Sequence, residues 1–428
     1  MKRILAVLLL FAGCSTESTV GPSKSPTFVR YLNGSFNDEA QTVLETTDKG
    51  LLILANTFFP STDIANPSIY RGNLIKTDEF GNVMWQQFFP ALTESDKTLS
   101  YKAYGMAINP AGGYVLTGEV IQGNNPKLLL ITVDNDGKNP NVKVTATPAP
   151  RRGISVAVIP APSANAGNFR VVATITDKLS SAADNIMLAE FDKSTLTPVP
   201  LTTFNYGSGP VVDNALPNRL FIDSRGNSYW GGTVKKNNSN NSMRYIGAPP
   251  NRINVLFDIT LGDPTNIETA GDMVRYGNGF AFVGTSTGQA LADSSRISFR
   301  RLTESGTEIL AGKVSVDPSL LFNNKSITGN SLCVAQDGGV VLLATITNPT
   351  NTTDYCLIKL DTFGNTDTAT GNLVTTWTRL YGGRFDDQGK CIITTSDGGL
   401  VVLGTTTLAN VKTLLLMKTD KDGKIPGL

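Results

Sequence analysis

The sequence predicts an all-β fold: a seven-bladed β-propeller with four-stranded antiparallel blades, closed by the N-terminal strand completing the last blade. Three observations predict it. A turn followed by an apolar run recurs seven times in one phase. A third and a fourth apolar stretch follow each copy, as a four-stranded blade requires. The two ends of the chain also match: Arg30 to Leu54 and Arg379 to Leu403 align without a gap at an offset of 349, with 9 of 25 positions identical.

The recurring unit reads DKGLLILA, AGGYVLTG, AGNFRVVA, RGNSYWGG, GNGFAFVG, DGGVVLLA and DGGLVVLG. Gly or Ala falls at 55, 118, 173, 232, 284, 344 and 404, five positions after the second turn residue in every copy. The spacings of 63, 55, 59, 52, 60 and 60 vary, while the internal phase does not. Turn dipeptides of this kind tolerate positive φ and close tight hairpins. The small residue suits close packing of neighbouring sheets. Repeats of this length decide a fold before any local reading does.

Third strands are clearest in NLIKTDEFGN (73 to 82), LLLITVDNDGK (128 to 138), YCLIKLDTFGN (355 to 365) and LLLMKTDKDGK (414 to 424). Fourth strands follow in VMWQQFF (83 to 89) and VTTWTRLY (374 to 381). In the fourth copy, MRYIGAPPNRINVLFDIT offers two third strands. The last copy stops at DGKIPGL without a fourth strand, while TFVRYL (27 to 32) precedes the first hairpin and matches TWTRLY (376 to 381). The N-terminal strand is therefore expected on the outside of the seventh blade, a closure that removes open sheet edges.

The chain of 428 residues carries 17% charged residues and a formal charge of +1, which becomes −1 without Lys2 and Arg3 (35 cations against 36 anions). Its longest basic clusters are pairs, so nucleic acid is not an expected partner. No histidine is present. That excludes Ser-His catalysis, His-ligated metals and imidazole proton shuttling, leaving carboxylates, Tyr, Lys or thiols for any chemistry. No cofactor is expected.

The opening MKRILAVLLLFAGC has two cations, a short apolar run, two small residues and Cys14, the anatomy of a secretory signal. FAGC resembles a bacterial lipoprotein box, which implies cleavage before Cys14 and lipidation of its sulfur. The expected division is a signal peptide at 1–13, a lipid-anchored tether at 14–26 and a propeller at 27–428. Ser15, where an inner-membrane retention signal would have aspartate, points to the outer membrane. The expected partners are this membrane and a protein or glycan ligand, with the chain as a monomer.

Residues 27–428 as a whole, with DGG-apolar-G, K-x-D-x-x-G-N, Trp and YGG recurring, resemble the secreted β-propellers of Bacteroidota and related bacteria. That resemblance implies the fold and leaves activity open, because such propellers include scaffolds, ligand binders and enzymes.

Several patterns could carry chemistry, and each also has a turn or packing role. KTDEFGNVMW (76 to 85) resembles the docking motif of quinoprotein propellers, and packing between blades is the expected role of Trp85 and Trp377. DNDGKN (134 to 139) and DKDGK (420 to 424) lack the full ligand spacing of a calcium loop, so turn chemistry accounts for them. Asp38 and Asp387 occupy the same slot before the first strand of a blade. They are either paired carboxylates for acid–base work or acceptors for loop amides at the mouth of the ring. Cys333 and Cys356 fall on the first and third strands of one blade, about 9.5 Å apart, beyond disulfide reach. Together with Cys391 they are expected as buried free thiols.

Long connections gather on one face: 57–72, 89–102, 176–185, 234–243, 316–329 and 347–355. Binding usually resides on such loops. Phe58, Phe59, Tyr70, Phe89 and Tyr101 cluster in the first two and offer aromatic surface for a sugar ring or a protein. The expected function is a non-catalytic binding or scaffolding module for protein or glycan. A carboxylate-dependent hydrolase or lyase, acting on polysaccharide at the ring mouth, is the alternative.

Overall fold

The computed structural model describes residues 26–427 except 33–35, 62–67, 90–98, 123–124, 146–150, 176–184, 200–203, 207–211, 237–240, 252–254, 263–264, 289–294, 315–325, 349, 362–364 and 366–371. Cys14, the leader and most of the tether lie outside these residues.

The chain enters through β1 (Phe28–Leu32). Blade 1 is β2 (Asn37–Glu45), β3 (Leu51–Phe59), β4 (Ile69–Thr77) and β5 (Val83–Phe89). Blade 2 is β6 (Ser100–Ile108), β7 (Tyr114–Gln122), β8 (Asn125–Val133) and β9 (Asn141–Val144). Blade 3 is β10 (Arg151–Val158), β11 (Phe169–Ile175), β12 (Asn185–Phe191) and β13 (Phe204–Tyr206). Blade 4 is β14 (Val212–Ile222), β15 (Ser228–Lys236), β16 (Asn241–Ala248) and β17 (Phe257–Leu261). Blade 5 is β18 (Asn266–Tyr276), β19 (Gly279–Gly288), β20 (Ser295–Thr303) and β21 (Glu308–Lys313). Blade 6 is β22 (Ser326–Val334), β23 (Val340–Thr347), β24 (Thr353–Leu360) and β25 (Thr375–Tyr381). Blade 7 is β26 (Asp387–Thr394), β27 (Leu400–Leu408) and β28 (Val411–Thr419), completed by β1 in the order β1-β28-β27-β26.

The two ends meet as the sequence match requires: β1 runs antiparallel to β28, from Phe28 opposite Lys418 to Leu32 opposite Leu414. In blade 4 the third strand is MRYIGA and the fourth FDITL, which settles the two options the sequence leaves. Where the sequence suggests a long loop over 347–355, the Asn348 amide donates to the Thr352 carbonyl at 2.7 Å and the Asn351 amide to the Asn348 carbonyl at 2.9 Å. The strands on either side extend further than polar composition implies, because cross-strand pairing continues to Thr347 and Thr353.

Second and third strands are buried on both faces, so they read as unbroken apolar runs such as LLILA and LLLI. The core clusters span blade boundaries: Leu52, Leu54 and Leu74 of blade 1 pack with Leu116, Leu129 and Ile131 of blade 2. Burying each such side chain contributes about 1.5–3 kcal/mol.

In six blades the small residue on the second strand faces another small residue on the first. The pairs are Ala40–Ala55, Ala103–Gly118, Gly153–Ala173, Ala270–Gly284, Gly329–Ala344 and Gly389–Gly404, while in blade 4 Gly232 stands opposite Pro217. Just beyond this pair every first strand carries a β-bulge. A bulge bends the strand and re-aims a side chain. Here the seven bulges lie at one height around a central channel of about 880 Å³. Blades touch there through backbone. A methyl at Gly105 would lie 2.7 Å from the Ile154 carbonyl oxygen, and one at Gly271 would collide with that of Gly329.

The base face, which carries the first-to-second and third-to-fourth turns, is held by two repeated devices. The first is an aromatic ring of one blade seated on a turn glycine of the next: Phe28 on Gly81, Trp85 on Gly137 and Trp377 on Gly423. These glycines have φ of 78, 71 and 68°, and a side chain there would also meet the ring. The second joins the hairpin Asp to the Lys of the third strand: Asp48 to Lys76 at 2.9 Å, Asp397 to Lys418 at 2.6 Å, and Asp337 to Lys359. Asp78, Asp134, Asp223 and Asp420 each accept amides within their own turns, as turn chemistry predicts. Cys333, Cys356 and Cys391 are free and buried. Burial pushes the thiols of Cys333 and Cys356 up to about 12.

Burial works against ionisation of Asp48, yet the Thr46 hydroxyl, the Lys76 ammonium and the Gly50 amide hold its carboxyl below the usual range. At Asp337 the Lys359 hydrogen bond leads the same depression. Folded pKa values below the unfolded ones stabilise the fold above an unfolded pKa of about 4 and cease to do so as pH falls through the folded values. Thermal melts should show the parent protein losing stability from pH 4 to pH 2 more steeply than an Asp48→Asn/Asp337→Asn double variant. Replacing Gly271 by Ala should lower the unfolding free energy by about 2–3 kcal/mol, read as a lower denaturant midpoint at unchanged slope.

Candidate functional site at the channel mouth

Sevenfold repetition makes structural roles visible, because a structural role recurs from blade to blade. The residue after the small one on each second strand is Asn56, Glu119, Thr174, Thr233, Thr285, Thr345 and Thr405. At five interfaces this side chain accepts the amide of the small residue on the next blade's first strand. The donors are Ala103 to Asn56 at 2.8 Å, Ala270 to Thr233 at 2.9 Å, Gly329 to Thr285 at 3.1 Å, Gly389 to Thr345 at 3.2 Å and Ala40 to Thr405 at 3.2 Å.

Glu119 breaks this series. It is 1% exposed, and its carboxylate instead accepts the Tyr104 hydroxyl at 2.5 Å and Arg152 Nε at 3.0 Å. Tyr104 occupies the bulge of β6, the slot filled elsewhere by Gln41, Ile154, Asn218 with Arg219, Gly271, Asn330 and Lys390, and all of these line the channel. Arg152, near the start of β10, also lies over the Tyr104 ring, 5.5 Å from its centroid. Burial first, and then the Glu119 charge, push the Tyr104 phenol well above its usual range.

A second carboxylate adjoins this group. Glu39 accepts Lys102 Nζ at 3.1 Å and the Tyr70 hydroxyl at 3.4 Å, while the Lys102 ammonium sits 3.6 Å from the Tyr70 ring centroid. The Glu39 charge reaches Tyr104 and adds to the rise of its pKa. Glu39, Lys102 and Arg152 occupy equivalent places on the first strands of blades 1, 2 and 3, each just before the small residue. A hydroxyl within hydrogen-bond reach of a carboxylate base, with that base oriented by a third group, is the arrangement of an activated nucleophile.

The residues singled out from the sequence are distributed as follows. Tyr70 joins the Glu39–Lys102 pair, and Phe58 lies 5.0 Å from it. Phe59 packs between Phe36 and Phe88, at 4.8 and 5.3 Å. Phe89 and Tyr101 are buried in the core shared by blades 1 and 2. Asp38 accepts the hydroxyl of Thr57, the residue paired with it across the sheet, at 2.5 Å, and Asp387 stands opposite Thr406 in the same way. Burial raises the Asp387 pKa, opposed by its Thr406 bond and reinforced by Asp354. Tyr104, Glu119, Arg152, Glu39 and Lys102 escape a reading by composition. The available signal was TGE at 117–119, a glutamate where five copies have Thr and one has Asn.

No family model matches the chain, and no curated protein matches it. Among solved structures, the Dos1 propeller aligns at TM-score 0.50 and 9% identity, over 92% of this chain and 95% of that one. The Penicillium chrysogenum α-L-arabinanase in complex with arabinobiose aligns at 0.47 and 10%, over 94% and 100%. The Hadza microbial sialidase Hz136 aligns at 0.42 and 11%, over 84% and 74%. Identity this low establishes the fold alone. The solved propellers similar to the chain include, by name, sialidases, an α-L-arabinofuranosidase and an arabinanase, so the expected non-catalytic binding or scaffolding module is corrected to a propeller fold that enzymes also use, with no activity carried over to this chain. Glu119 departs from the Thr and Asn of its row, and its carboxylate joins Tyr104 of blade 2 to Arg152 of blade 3.

Restoring the repeat tests this. Glu119→Thr should leave the melting temperature within about 4 °C of the parent, and the Tyr104 phenol, followed by ultraviolet titration, should ionise at lower pH. A large loss of thermal stability would make Glu119 structural instead.

Proposed function

We propose that the protein is a glycan hydrolase whose catalytic groups lie at the channel mouth between blades 1, 2 and 3. The observation that carries this reading is the Tyr104–Glu119–Arg152 group, in which a buried glutamate replaces the Thr or Asn of the repeat. In the proposed reaction Tyr104 Oη attacks the anomeric carbon while Glu119 takes the phenolic proton. The raised pKa keeps the phenol protonated until that moment, so the base and the forming bond act together. Arg152 orients Glu119 and offsets its charge beforehand. The glycosidic C–O bond breaks as a solvent water gives a proton to the leaving oxygen. The hydroxide left behind attacks the anomeric carbon and releases the phenolate, and Glu119 returns the first proton to Tyr104. Phe58, Phe59 and Tyr70 supply apolar faces beside the mouth against which sugar rings can stack. Lipidation at Cys14 and attachment to the outer membrane belong to the same proposal, and would hold the enzyme beside a surface where polysaccharide arrives.

Reducing-end release from a panel of neutral and acidic polysaccharides tests the activity. Tyr104→Phe and Glu119→Gln should each lower kcat by about 100-fold or more, with unchanged far-ultraviolet circular dichroism. Mass spectrometry of the parent trapped with a slowly turned-over substrate should find a glycosyl group on the Tyr104 peptide. Cleavage that survives Tyr104→Phe would remove the nucleophile, and absence of cleavage across the panel would remove the reading.

A further inference from the structure

The channel that Tyr104 lines also holds a second group of charged side chains. The bulge that carries Tyr104 in blade 2 carries Asn218 and Arg219 in blade 4, whose first strand has an additional register shift between Asp213 and Leu216. Arg219 Nη2 lies 3.0 Å from Asp272 Oδ2 of blade 5 and 4.0 Å from Cys391 Sγ of blade 7, so its guanidinium reaches across the channel. Asp272 is fixed in turn by the Ser331 hydroxyl at 2.6 Å and the Met273 amide at 2.8 Å. The contact with Asp272 holds Arg219 in place. It engages Nη2, so the donors on Nε and Nη1 are left for a ligand, and 31% of the side chain is open to solvent.

Among the described residues, the charged side chains lining the channel are Arg219, Lys390 and Asp272, an excess of one positive charge. Lys390 is exposed and occupies the bulge of β26, beside Cys391. The volume of about 880 Å³ accommodates a saccharide of one or a few rings. A fixed guanidinium and an exposed ammonium in a walled cavity favour an anionic group, which the guanidinium can bind through paired N–H donors.

We propose that the channel takes the acidic substituent of a sugar, a carboxylate, sulfate or phosphate, on Arg219 and Lys390. The inference rests on the hydrolase reading above, since it names the substrate class of the same channel, but its test requires no turnover. Isothermal titration at low salt would use glucuronate, glucose 6-phosphate, glucose and inorganic sulfate as probes. Glucuronate or glucose 6-phosphate should bind at least about tenfold tighter than glucose, and the tighter of the two identifies the substituent. An Arg219→Gln/Asp272→Asn variant, which leaves no buried carboxylate unpaired, should lose this preference, and Lys390→Gln should weaken it severalfold. Thermal melts establish that both variants fold. Equal affinity for glucose and both charged sugars, or an unchanged preference in the Arg219 variant, would overturn the proposal. Binding of sulfate alone, without either sugar, would reduce the site to a simple anion trap and overturn it equally. If neutral polysaccharide is cleaved through Tyr104 and no acidic sugar binds, the anion proposal falls and the hydrolase stands. If the acidic sugars bind with the stated preference and no polysaccharide is cleaved, the anion site stands and the hydrolase falls.

Discussion

The approach of seven first strands around one axis is the constraint on which the rest of the structure depends. Where they converge, six of the blades set a small residue on the first strand opposite a small residue on the second, and backbone of an adjacent blade approaches closely, as Gly329 does at Gly271. Ordinary side chains at these positions would hold the sheets apart and open the ring. The bulge that follows in every blade is the geometric complement of this crowding: the strand bends once it has passed the contact, and the bulge residues of all seven blades line the channel. Packing thus generates a ring of inward-facing positions before any function is assigned to them.

The base and the mouth then divide the work. At the base, turn glycines under aromatic rings join blade 7 to 1, 1 to 2 and 6 to 7, and Asp–Lys pairs tie the hairpin to the third strand in blades 1, 6 and 7. At the mouth, the same bulge slot holds Gln, Tyr, Ile, Arg, Gly, Asn and Lys in different blades. Positions under shared mechanical demand converge on one chemistry, while those released from it diverge. Glu119 is informative because it brings a carboxylate into a row of Thr and Asn and carries its own partners with it.

The architecture was legible because turn, apolar run and small residue keep one phase across seven copies, and because TFVRYL resembles the fourth strand TWTRLY. Trp85 and Trp377 were legible as packing for the same reason. The site was less so. Tyr104 and Glu119 lie 15 residues apart in adjoining strands and meet only after a bulge shifts the register by one, which no periodicity announces. Arg152 arrives from another blade. Attention to long loops favoured Phe89 and Tyr101, whose aromatic character in fact serves the core. The comparison that mattered was down the column of repeats, where glutamate replaces Thr or Asn.

Closure by β1 also has a temporal consequence. Phe28 finds its partner 390 residues later, at Lys418. Joining such distant points costs roughly 5 kcal/mol of chain entropy beyond a constant, a sum that grows only logarithmically with length. The seam is therefore inexpensive at equilibrium but late in time, since a chain synthesised from its N-terminus holds this strand unmated until the last sector emerges. Six sectors can stack in order of synthesis, whereas the annulus becomes continuous in a single concluding event. Resistance of the finished molecule to unwinding then resides in one antiparallel junction, where beginning and end of the polypeptide lie side by side.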